Sequence, residues 1–187
     1  MKRDGDTLQA VLQSFAGTFK DKVNKEHVCE VQQHQIETGD ARPIYSRPGR
    51  IPIHFQSQVD NEIKRDLDLG IIRKSDSPWN SRIIPVTKKD GTLRLCIDYR
   101  PINNVTVKDK YPIPRIDEIL DTLSTAKVFT TLDATSGYYQ LMVKEEDRGK
   151  TAFTWGSEHY EFNRMPFGLC NAPATFQRAM NAILKQE

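Results

Sequence analysis

The spacing of apolar residues predicts four helices along the chain. In four segments, apolar side chains recur at steps of three and four residues, which is the spacing of a helix with one buried face. Ser57 and Asp60 are typical of a helix start and Gly70 of a helix stop, and a proline opens each of the last two helices. The predicted helices and their apolar faces are residues 7–19 (Leu8, Val11, Leu12, Phe15, Phe19), 57–69 (Val59, Ile63, Leu67), 114–123 (Ile116, Ile119, Leu120, Leu123) and 171–184 (Phe176, Met180, Ile183, Leu184).

Three short runs rich in β-branched and other apolar residues predict strands. Residues 83–87 and 92–97 flank Lys88-Lys89-Asp90-Gly91, where the Asp-Gly pair supplies the positive backbone angles of a tight turn. We therefore expect a β-hairpin with two lysines at its tip and Arg94 on the returning strand close to them. The third run, residues 128–132, predicts a strand that ends at Asp133. Prolines within residues 42–52 forbid a helix there and predict an extended arm across the fold.

The composition is that of one domain of moderate size, or of a piece of a larger one. The chain has 187 residues, of which 37% are hydrophobic and 28% charged, and its mean hydropathy is −0.60. Its three cysteines are far apart and odd in number, which excludes a disulfide framework and indicates a reducing compartment. His27, Cys29 and His34 lack a fourth ligand at a suitable spacing, so we expect no zinc site. Without a signal peptide or an apolar run that spans a membrane, we expect an intracellular protein, in the cytoplasm or the nucleus.

Positive charge is concentrated in one part of the chain. The formal net charge is +2, but residues 82–115 contain eight basic and three acidic residues, a local charge of +5. Such a stretch favours a polyanion as partner, because phosphate contacts release counterions. A solvated lysine-rich surface is the alternative. The cations of the predicted hairpin suit the grip of a triphosphate, or keep an exposed edge strand soluble.

Asp133 is the candidate for metal chemistry. An ionised carboxylate at the end of an apolar run is costly to place beside a core unless a cation meets it. The sequence therefore indicates a metal ligand or a charged partner at Asp133, with an ordinary turn aspartate as the alternative.

Six motifs in one order extend these observations to a family. The motifs are residues 77–81 (SPWNS), 88–103 (KKDGTLRLCIDYRPIN), 108–117 (KDKYPIPRID), 129–141 (FTTLDATSGYYQL), 147–153 (DRGKTAF) and 165–177 (MPFGLCNAPATFQ). With these motifs, the chain from about His34 onward resembles the reverse transcriptase of gypsy-type LTR retrotransposons.

The resemblance implies an α+β right-hand polymerase fold with fingers and an incomplete palm. A helix and lead-in segment would occupy residues 1–41, and the reverse transcriptase domain residues 42–187. Within that domain, the fingers would span about residues 42–107 and 141–171, and the partial palm about residues 108–140 and 172–187. The family's Tyr-x-Asp-Asp hairpin would follow the last helix, and we expect the chain to stop before it.

The resemblance also implies a role for each site residue. Asp133 matches the first catalytic, metal-binding aspartate, with the carbonyl of Ala134 beside it, and two Mg²⁺ ions would bind there in the complete enzyme. Lys88 and Arg94 would hold the incoming dNTP. Tyr138 would lie under the sugar and select deoxynucleotides, and Phe167 would touch the nucleotide or the template base. The residues expected along the template path are Arg100, Asn171 and Pro173.

The implied function is that of an RNA-directed DNA polymerase, which transfers dNTPs to a primer 3′-hydroxyl. Its partners would be an RNA or DNA template-primer, dNTPs and the remainder of the Pol polyprotein, namely the rest of the palm, the thumb, RNase H and integrase. No Asp-Asp pair occurs in the sequence, and we expect the acidic run at residues 145–147 to face solvent. We therefore expect no DNA synthesis by this polypeptide alone, with Phe129, Leu132 and two helix faces uncovered. The alternatives are a non-catalytic nucleic-acid-binding module derived from a retroelement and a decayed reading frame.

Overall fold

The structure is a computed structural model of the 187-residue chain. It describes residues 9–17, residue 25, residues 28–87 and residues 93–184, and gives only the backbone of residues 87, 93 and 94. Within these ranges it contains four named helices, seven strands and two 3₁₀ helices. The helices are α1 (Ile53–Asp68), α2 (Arg100–Val105), α3 (Ile116–Leu123) and α4 (Ala172–Leu184), and the 3₁₀ helices are Gly137–Gln140 and Glu145–Thr151. The strands are β1 (Cys29–His34), β2 (Ile72–Lys74), β3 (Arg82–Thr87), β4 (Leu93–Asp98), β5 (Leu141–Val143), β6 (Phe153–Trp155) and β7 (Glu158–Phe162).

The strands form three small sheets. Strands β3 and β4 make the predicted antiparallel hairpin, in register from Arg82 opposite Asp98 to Thr87 opposite Leu93. The second sheet is antiparallel in the order β2-β7-β6. In the third, β1 and β5 pair in parallel although they lie far apart in sequence. The predicted tip of the hairpin, residues 88–91, lies outside the described residues.

The buried side chains form two clusters. One joins β1, β5 and α4 to the segment around Tyr99, and the other fills the space between α1 and the β2-β7-β6 sheet. The first contains Ile36, Trp79, Tyr99, Ile102, Leu141, Val143, Met165, Leu169, Ala172 and Ala179. The second contains Ile51, Val59, Ile63, Ile71, Ile72, Ile83, Phe153, Tyr160 and Phe162.

Helix α1 ends as predicted but begins earlier. Gly70, at φ +64°, follows the last turn, and the backbone N–H groups of Gly70 and Ile71 donate to the carbonyls of Leu67 and Asp66. This pattern is a Schellman cap, which needs the positive φ that glycine adopts without strain. The predicted start at Ser57 is wrong, because the helix begins at Ile53 after Pro52, whose fixed φ leads the chain into the first turn.

The buried face of α4 also differs from the prediction. Phe176 and Met180 are half-buried, whereas Ile183 and Leu184 are exposed, so their predicted place in the core is wrong. The residues that α4 buries are mostly small, namely Ala172, Ala174, Thr175 and Ala179. Small side chains let the helix backbone approach β1 and the first cluster closely. Apolar periodicity therefore identified the helix but not the side on which it packs.

The segment that leads to Asp133 is extended but unpaired. Residues 128–132 form no strand, so that prediction is wrong, and in the described part of the chain no strand lies beside them to complete a ladder. Phe129 is 61% exposed and Leu132 76% exposed. Every apolar side chain of the α3 stripe is at least 42% exposed, so α3 has no buried residue. These exposures confirm the expectation of uncovered apolar surface.

The N-terminal prediction can be compared with the structure only in part. Residues 9–14 are helical, and the rest of the predicted helix apart from residues 15–17 lies outside the described residues. Val11, Leu12 and Phe15 are 45–60% exposed. Across the described ranges, no helix has the length and apolar character needed to cross a bilayer.

The acidic run at residues 145–147 is only partly solvated. The side chains of Glu145 and Glu146 are exposed, and Glu145 pairs with Arg73 at 2.6 Å. Asp147 is 6% exposed, and its carboxylate accepts hydrogen bonds from the Ile36 N–H at 2.9 Å and the Lys150 ammonium at 2.7 Å. The expectation that Asp147 faces solvent is wrong, because it joins the 3₁₀ helix to the end of β1.

His34 lies between β1 and α4, where it shares a hydrogen bond of 2.8 Å with the Thr175 hydroxyl. Burial lowers the pKa of His34 from 6.5 to about 4, although the nearby charges of Asp147 and Asp109 oppose this shift. As the pH falls through 6.5, His34 becomes protonated in the unfolded chain. In the native state it stays neutral until the pH approaches about 4. We expect native stability to be constant above pH 6.5 and to fall by about 3 kcal/mol as the pH drops to about 4.

Urea unfolding at a series of pH values measures this effect. His34→Gln should flatten the slope between pH 6.5 and 4, and His159→Gln, which changes a half-buried histidine elsewhere, should leave it in place. Equal slopes in the wild type and His34→Gln would contradict the assignment.

Candidate functional site

Asp133 lies at a sharp reversal of the chain. Asp133 and Ala134 are exposed, and a turn leads from them into the 3₁₀ helix Gly137–Gln140. Ser136 adopts the left-handed conformation at φ 47°, which is uncommon for a residue with a side chain. The backbone N–H of Tyr139 donates to the Ser136 carbonyl at 2.8 Å, and the Gln140 amide donates to the Thr135 carbonyl at 2.9 Å. These bonds hold the reversal that presents the Asp133 carboxylate.

Aromatic rings connect this reversal to the turn before α4. The ring of Tyr138 stacks on Phe167 at 4.9 Å between centroids and lies 5.4 Å from Phe176. Tyr139 meets Phe167 edge-on at 5.5 Å. Burial raises the pKa of Tyr138, so its hydroxyl stays neutral at physiological pH. The structure therefore brings together Tyr138 and Phe167, two predicted site residues from separate motifs.

Gly137 makes this contact possible. A Cβ atom at Gly137 would lie 2.9 Å from two ring carbons of Phe176, closer than real Cβ contacts. The absence of a side chain lets the backbone of the 3₁₀ helix rest on the face of α4. The glycine thus sets how far Tyr138 stands from that helix.

The turn that carries Phe167 is fixed from the other side by Asn103. The Asn103 amide donates to the Gly168 carbonyl at 2.8 Å, and its Oδ1 accepts the Cys170 N–H at 2.9 Å. Gly168 has φ +94° and lies against Tyr99. The sequence analysis missed the role of Asn103, since an asparagine in a helical motif gives no signal of its distant partner.

Asn171 is occupied within the protein. Its Oδ1 accepts the Asp109 N–H at 3.0 Å and its Nδ2 donates to the Val107 carbonyl at 2.8 Å. The side chain is nearly buried and ties residues 107–109 to the start of α4. Pro173 is exposed in the first turn of that helix. Asn171 therefore holds residues 107–109 next to the first turn of α4, where Pro173 is exposed.

Arg100 is exposed and paired with a neighbour. Its Nε and Nη2 donate to the two carboxylate oxygens of Asp98 at 2.8 and 2.7 Å. These hydrogen bonds hold the pKa of Asp98 below its usual value. Because the guanidinium group remains 81% exposed, it keeps donors that face solvent.

Comparison with known proteins places this arrangement in a family. Residues 86–186 match the family Reverse transcriptase (RNA-dependent DNA polymerase). The chain is a member of the reverse transcriptase family. It is 41% identical over 183 residues to the retrovirus-related Pol polyprotein from transposon 297 of Drosophila melanogaster, a match that covers 95% of this chain and 17% of that polyprotein. It is 45% identical over 158 residues to the corresponding polyprotein from transposon gypsy of the same organism, covering 81% of this chain and 15% of the polyprotein.

Solved structures of reverse transcriptases agree with the fold. The native prototype foamy virus protease-reverse transcriptase superposes with a TM-score of 0.85 at 26% identity, covering 100% of this chain and 25% of that one. A foamy viral protease-reverse transcriptase solved with an RNA/DNA hybrid gives a TM-score of 0.80 at 23% identity, covering 99% of this chain and 25% of that one. The predicted α+β polymerase fold and the resemblance to gypsy-type reverse transcriptases are confirmed. The chain spans less than a fifth of the polyproteins it matches.

Two residues that are predicted to bind the nucleotide are not fully described. Lys88 lies outside the described residues, and Arg94 is placed by its backbone alone, opposite Val86 in the hairpin. A role for these cations therefore stays a prediction.

The two predicted metal ligands fit Mg²⁺ in kind but not in number. The Asp133 carboxylate and the Ala134 carbonyl are oxygen donors, which Mg²⁺ prefers. Within the described residues no group of three or more His, Cys, Asp or Glu side chains is placed to hold a metal ion. One carboxylate cannot hold two ions close together, so we assign no reaction step to the metal in this chain.

A cavity of about 620 Å³ adjoins the aromatic cluster. Its walls come from α1, from residues 95–97 of β4, and from the turns that carry Tyr139 and Phe167. Asp66 in its wall is nearly buried; burial raises the pKa of this carboxyl, whereas the hydrogen bond from Arg65 opposes the rise. This pair was not predictable, because the positions of Arg65 and Asp66 are typical of surface charges on an amphipathic helix.

Gly137→Ala tests the close approach described above. The added methyl group would force the 3₁₀ helix away from Phe176, and we expect the free energy of unfolding to fall by about 1–3 kcal/mol. Gly17→Ala is the matched control, because nothing lies within 4 Å of the Cβ position at Gly17. Urea unfolding measures both variants.

A second substitution checks the cause. Phe176→Leu removes the ring atoms that meet the new methyl group. It should therefore lower the free energy of unfolding less in the Gly137→Ala background than in the wild type. Additive losses would show that the two residues are not coupled.

Proposed function

We propose that this chain forms the fingers and the first part of the palm of a retrotransposon RNA-directed DNA polymerase, which adds dNTPs to a primer 3′-hydroxyl. The observation that carries the proposal is the stack of Tyr138 on Phe167, directly after the reversal at Asp133. These three residues come from two motifs of the reverse transcriptase family, and the contact between Tyr138 and Phe167 supports a shared site. A foamy viral neighbour of the same fold was solved with an RNA/DNA hybrid, which supports a template-primer as the ligand.

In this proposal each residue at the reversal has a distinct task. The Asp133 carboxylate, with the Ala134 carbonyl beside it, holds Mg²⁺, which would supply charge neutralisation for phosphoryl transfer. The ring of Tyr138 packs against Phe167 and Phe176, and these contacts restrict its movement away from a ribose 2′-hydroxyl above it. A rigid ring therefore selects deoxynucleotides by steric exclusion. Phe167, which is 40% exposed, contacts the nucleotide or the template base with the accessible part of its ring.

The cations and the start of α4 complete the nucleic-acid surface in the proposal. Lys88 and Arg94 bind the triphosphate, Lys88 as a point charge and Arg94 through its forked donors. Arg100 binds template phosphates with the guanidinium N–H groups that do not donate to Asp98. Asn171 holds the backbone of residues 107–109 in place, and Pro173 forms part of the template path.

We further propose that catalysis needs parts of the polyprotein outside this chain. Much of the exposed apolar area lies on α3, on residues 128–132 and at the end of α4, around the Asp133 reversal. Further palm strands, and the second and third carboxylates they carry in the family, would cover this surface.

A chimeric polymerase tests the function. The matching segment of the transposon 297 Pol polyprotein is replaced by this chain, and Mg²⁺-dependent extension of a primer on an RNA template is measured. We expect extension, and we expect Asp133→Asn to reduce it to background because a metal ligand is lost. Asp121→Asn, which removes an exposed carboxylate from α3, is the matched control and should retain activity. An Asp133→Asn chimera as active as its parent would contradict the proposal.

The isolated chain should behave differently. Purified alone with Mg²⁺, dNTPs and an RNA template-primer, it should give no extension above background, because a single carboxylate cannot assemble two ions. Product formed by the 187-residue chain itself would contradict this expectation.

The local charge of +5 at residues 82–115 supports the second candidate, a non-catalytic nucleic-acid-binding module. An inactive chimera together with salt-dependent binding by the isolated chain would favour that candidate.

A further inference from the structure

An acid-free segment with exposed arginines lies apart from the Asp133 reversal. We call residues 42–52 the arginine arm; it contains Arg42, Arg47 and Arg50, and no Asp or Glu occurs from residue 41 to residue 59. Arg47 and Arg50 are exposed. Within the described part of the chain, neither forms an ion pair, although eleven such pairs are present elsewhere. Their donors are therefore available to an anionic ligand.

The arm is held rigidly by Asn80. The Asn80 backbone exchanges hydrogen bonds with the Ile44 carbonyl at 2.9 Å and the Ser46 N–H at 2.8 Å, and its amide donates to the Ser46 carbonyl at 2.5 Å. Asn80 is 1% exposed, so this attachment is shielded from water. A ligand that binds here does not have to order the backbone first.

Arg82 lies along the same arm. Its Nε donates to the Arg47 carbonyl at 3.1 Å, and its Cδ would lie 3.2 Å from a Cβ at Gly49. The missing side chain at Gly49 thus lets a third exposed guanidinium group lie beside Arg47. Arginine forks of this kind suit phosphate oxygens.

A cavity of about 600 Å³ opens beside the arm, between the arm, α1 and the turn after β6. Arg50 and Gly49 line one side, Gln56 and Asp60 another, and Trp155 a third. The half-buried indole of Trp155 donates from Nε1 to the Asp60 carboxylate at 2.6 Å, which fixes the ring in the wall. The volume falls in the range of small-ligand sites.

We propose that this cavity binds a guanine nucleotide, with the base on Trp155, its donor edge on Asp60 and its phosphate on Arg50, Arg47 and Arg82. A carboxylate only accepts hydrogen bonds, and it has about four lone-pair sites, of which the indole uses one. Guanine is the standard base with two adjacent donors, N1–H and N2–H₂, on its Watson–Crick edge. Adenine, cytosine and uracil each offer a single donor group there, so Asp60 favours guanine.

This site shares no residue with the reversal at Asp133. It needs no Mg²⁺ and no further part of the polyprotein, so it stands or falls independently of the polymerase proposal. The ligand's phosphate and base chemistry is the same for free GMP and for a guanosine within a single strand, and the experiment separates these sources.

Fluorescence anisotropy with the full 187-residue chain tests the proposal, using labelled UUGUU and UUAUU ribonucleotides in the absence of Mg²⁺. We expect UUGUU to bind about tenfold more tightly, as for one well-formed pair of base-edge hydrogen bonds. Asp60→Asn should abolish the preference, whereas Asp68→Asn, an exposed acid on the same helix, should not. Arg50→Ala should lower the affinity for both ribonucleotides more than Lys64→Ala does, although Lys64→Ala removes the same charge from α1.

Competition by GMP and AMP identifies the source of the nucleotide. If GMP displaces UUGUU at about the concentration at which UUGUU itself is half-bound, the cavity is a site for a free nucleotide. If displacement needs a far higher GMP concentration, the cavity is a site for a guanosine within a strand. Either result supports binding in the cavity.

Equal affinities of the wild type for UUGUU and UUAUU would overturn the proposal without reference to any variant, and so would the absence of binding at low salt. Equal losses in Arg50→Ala and Lys64→Ala would also overturn it, since they would indicate diffuse charge attraction. Thermal unfolding of each variant verifies that Asp60→Asn, which keeps the side-chain shape, is folded as the wild type.

Discussion

The candidate site depends on how closely the backbone at Gly137 approaches the ring of Phe176. That contact fixes the 3₁₀ helix Gly137–Gln140 on α4, and α4 is in turn placed by small residues that pack on β1 and the first buried cluster. Tyr138 then packs against both Phe167 and Phe176, and the reversal before it leaves Asp133 exposed. A side chain at residue 137 would change all of these distances together.

Elements with local signals were predictable from the sequence. The Asp-Gly hairpin, the glycine that ends α1, and the helices at α3 and α4 follow from turn chemistry and from a repeat of apolar residues, which act within a few positions. The six motifs located Asp133, Tyr138 and Phe167, and the structure brings two of these three into contact. Ordered motifs thus gave more of the site than charge or periodicity did.

Features that depend on distant partners were not predictable. The strand expected at residues 128–132 has no neighbour to pair with, and the burial of Asp147 depends on Ile36 and Lys150. The face of α4 was misjudged because the sequence shows which residues are apolar, not which side is close to β1. Asn103 and Asn80 each hydrogen-bond to a backbone segment that is distant in sequence. No sequence pattern around an asparagine predicts which distant segment it will bind.

The parallel pairing of β1 with β5 has a consequence for how the protein is made. Cys29–His34 leaves the ribosome well before its partner Leu141–Val143, because the two strands are far apart in sequence. The hairpin β3-β4 and helix α1 rely on nearer contacts and can form first, whereas the β1 edge must wait unpaired. Polar residues in β1, such as Gln32 and Gln33, keep that waiting edge from being a long apolar strand, which reduces its tendency to associate with other nascent chains.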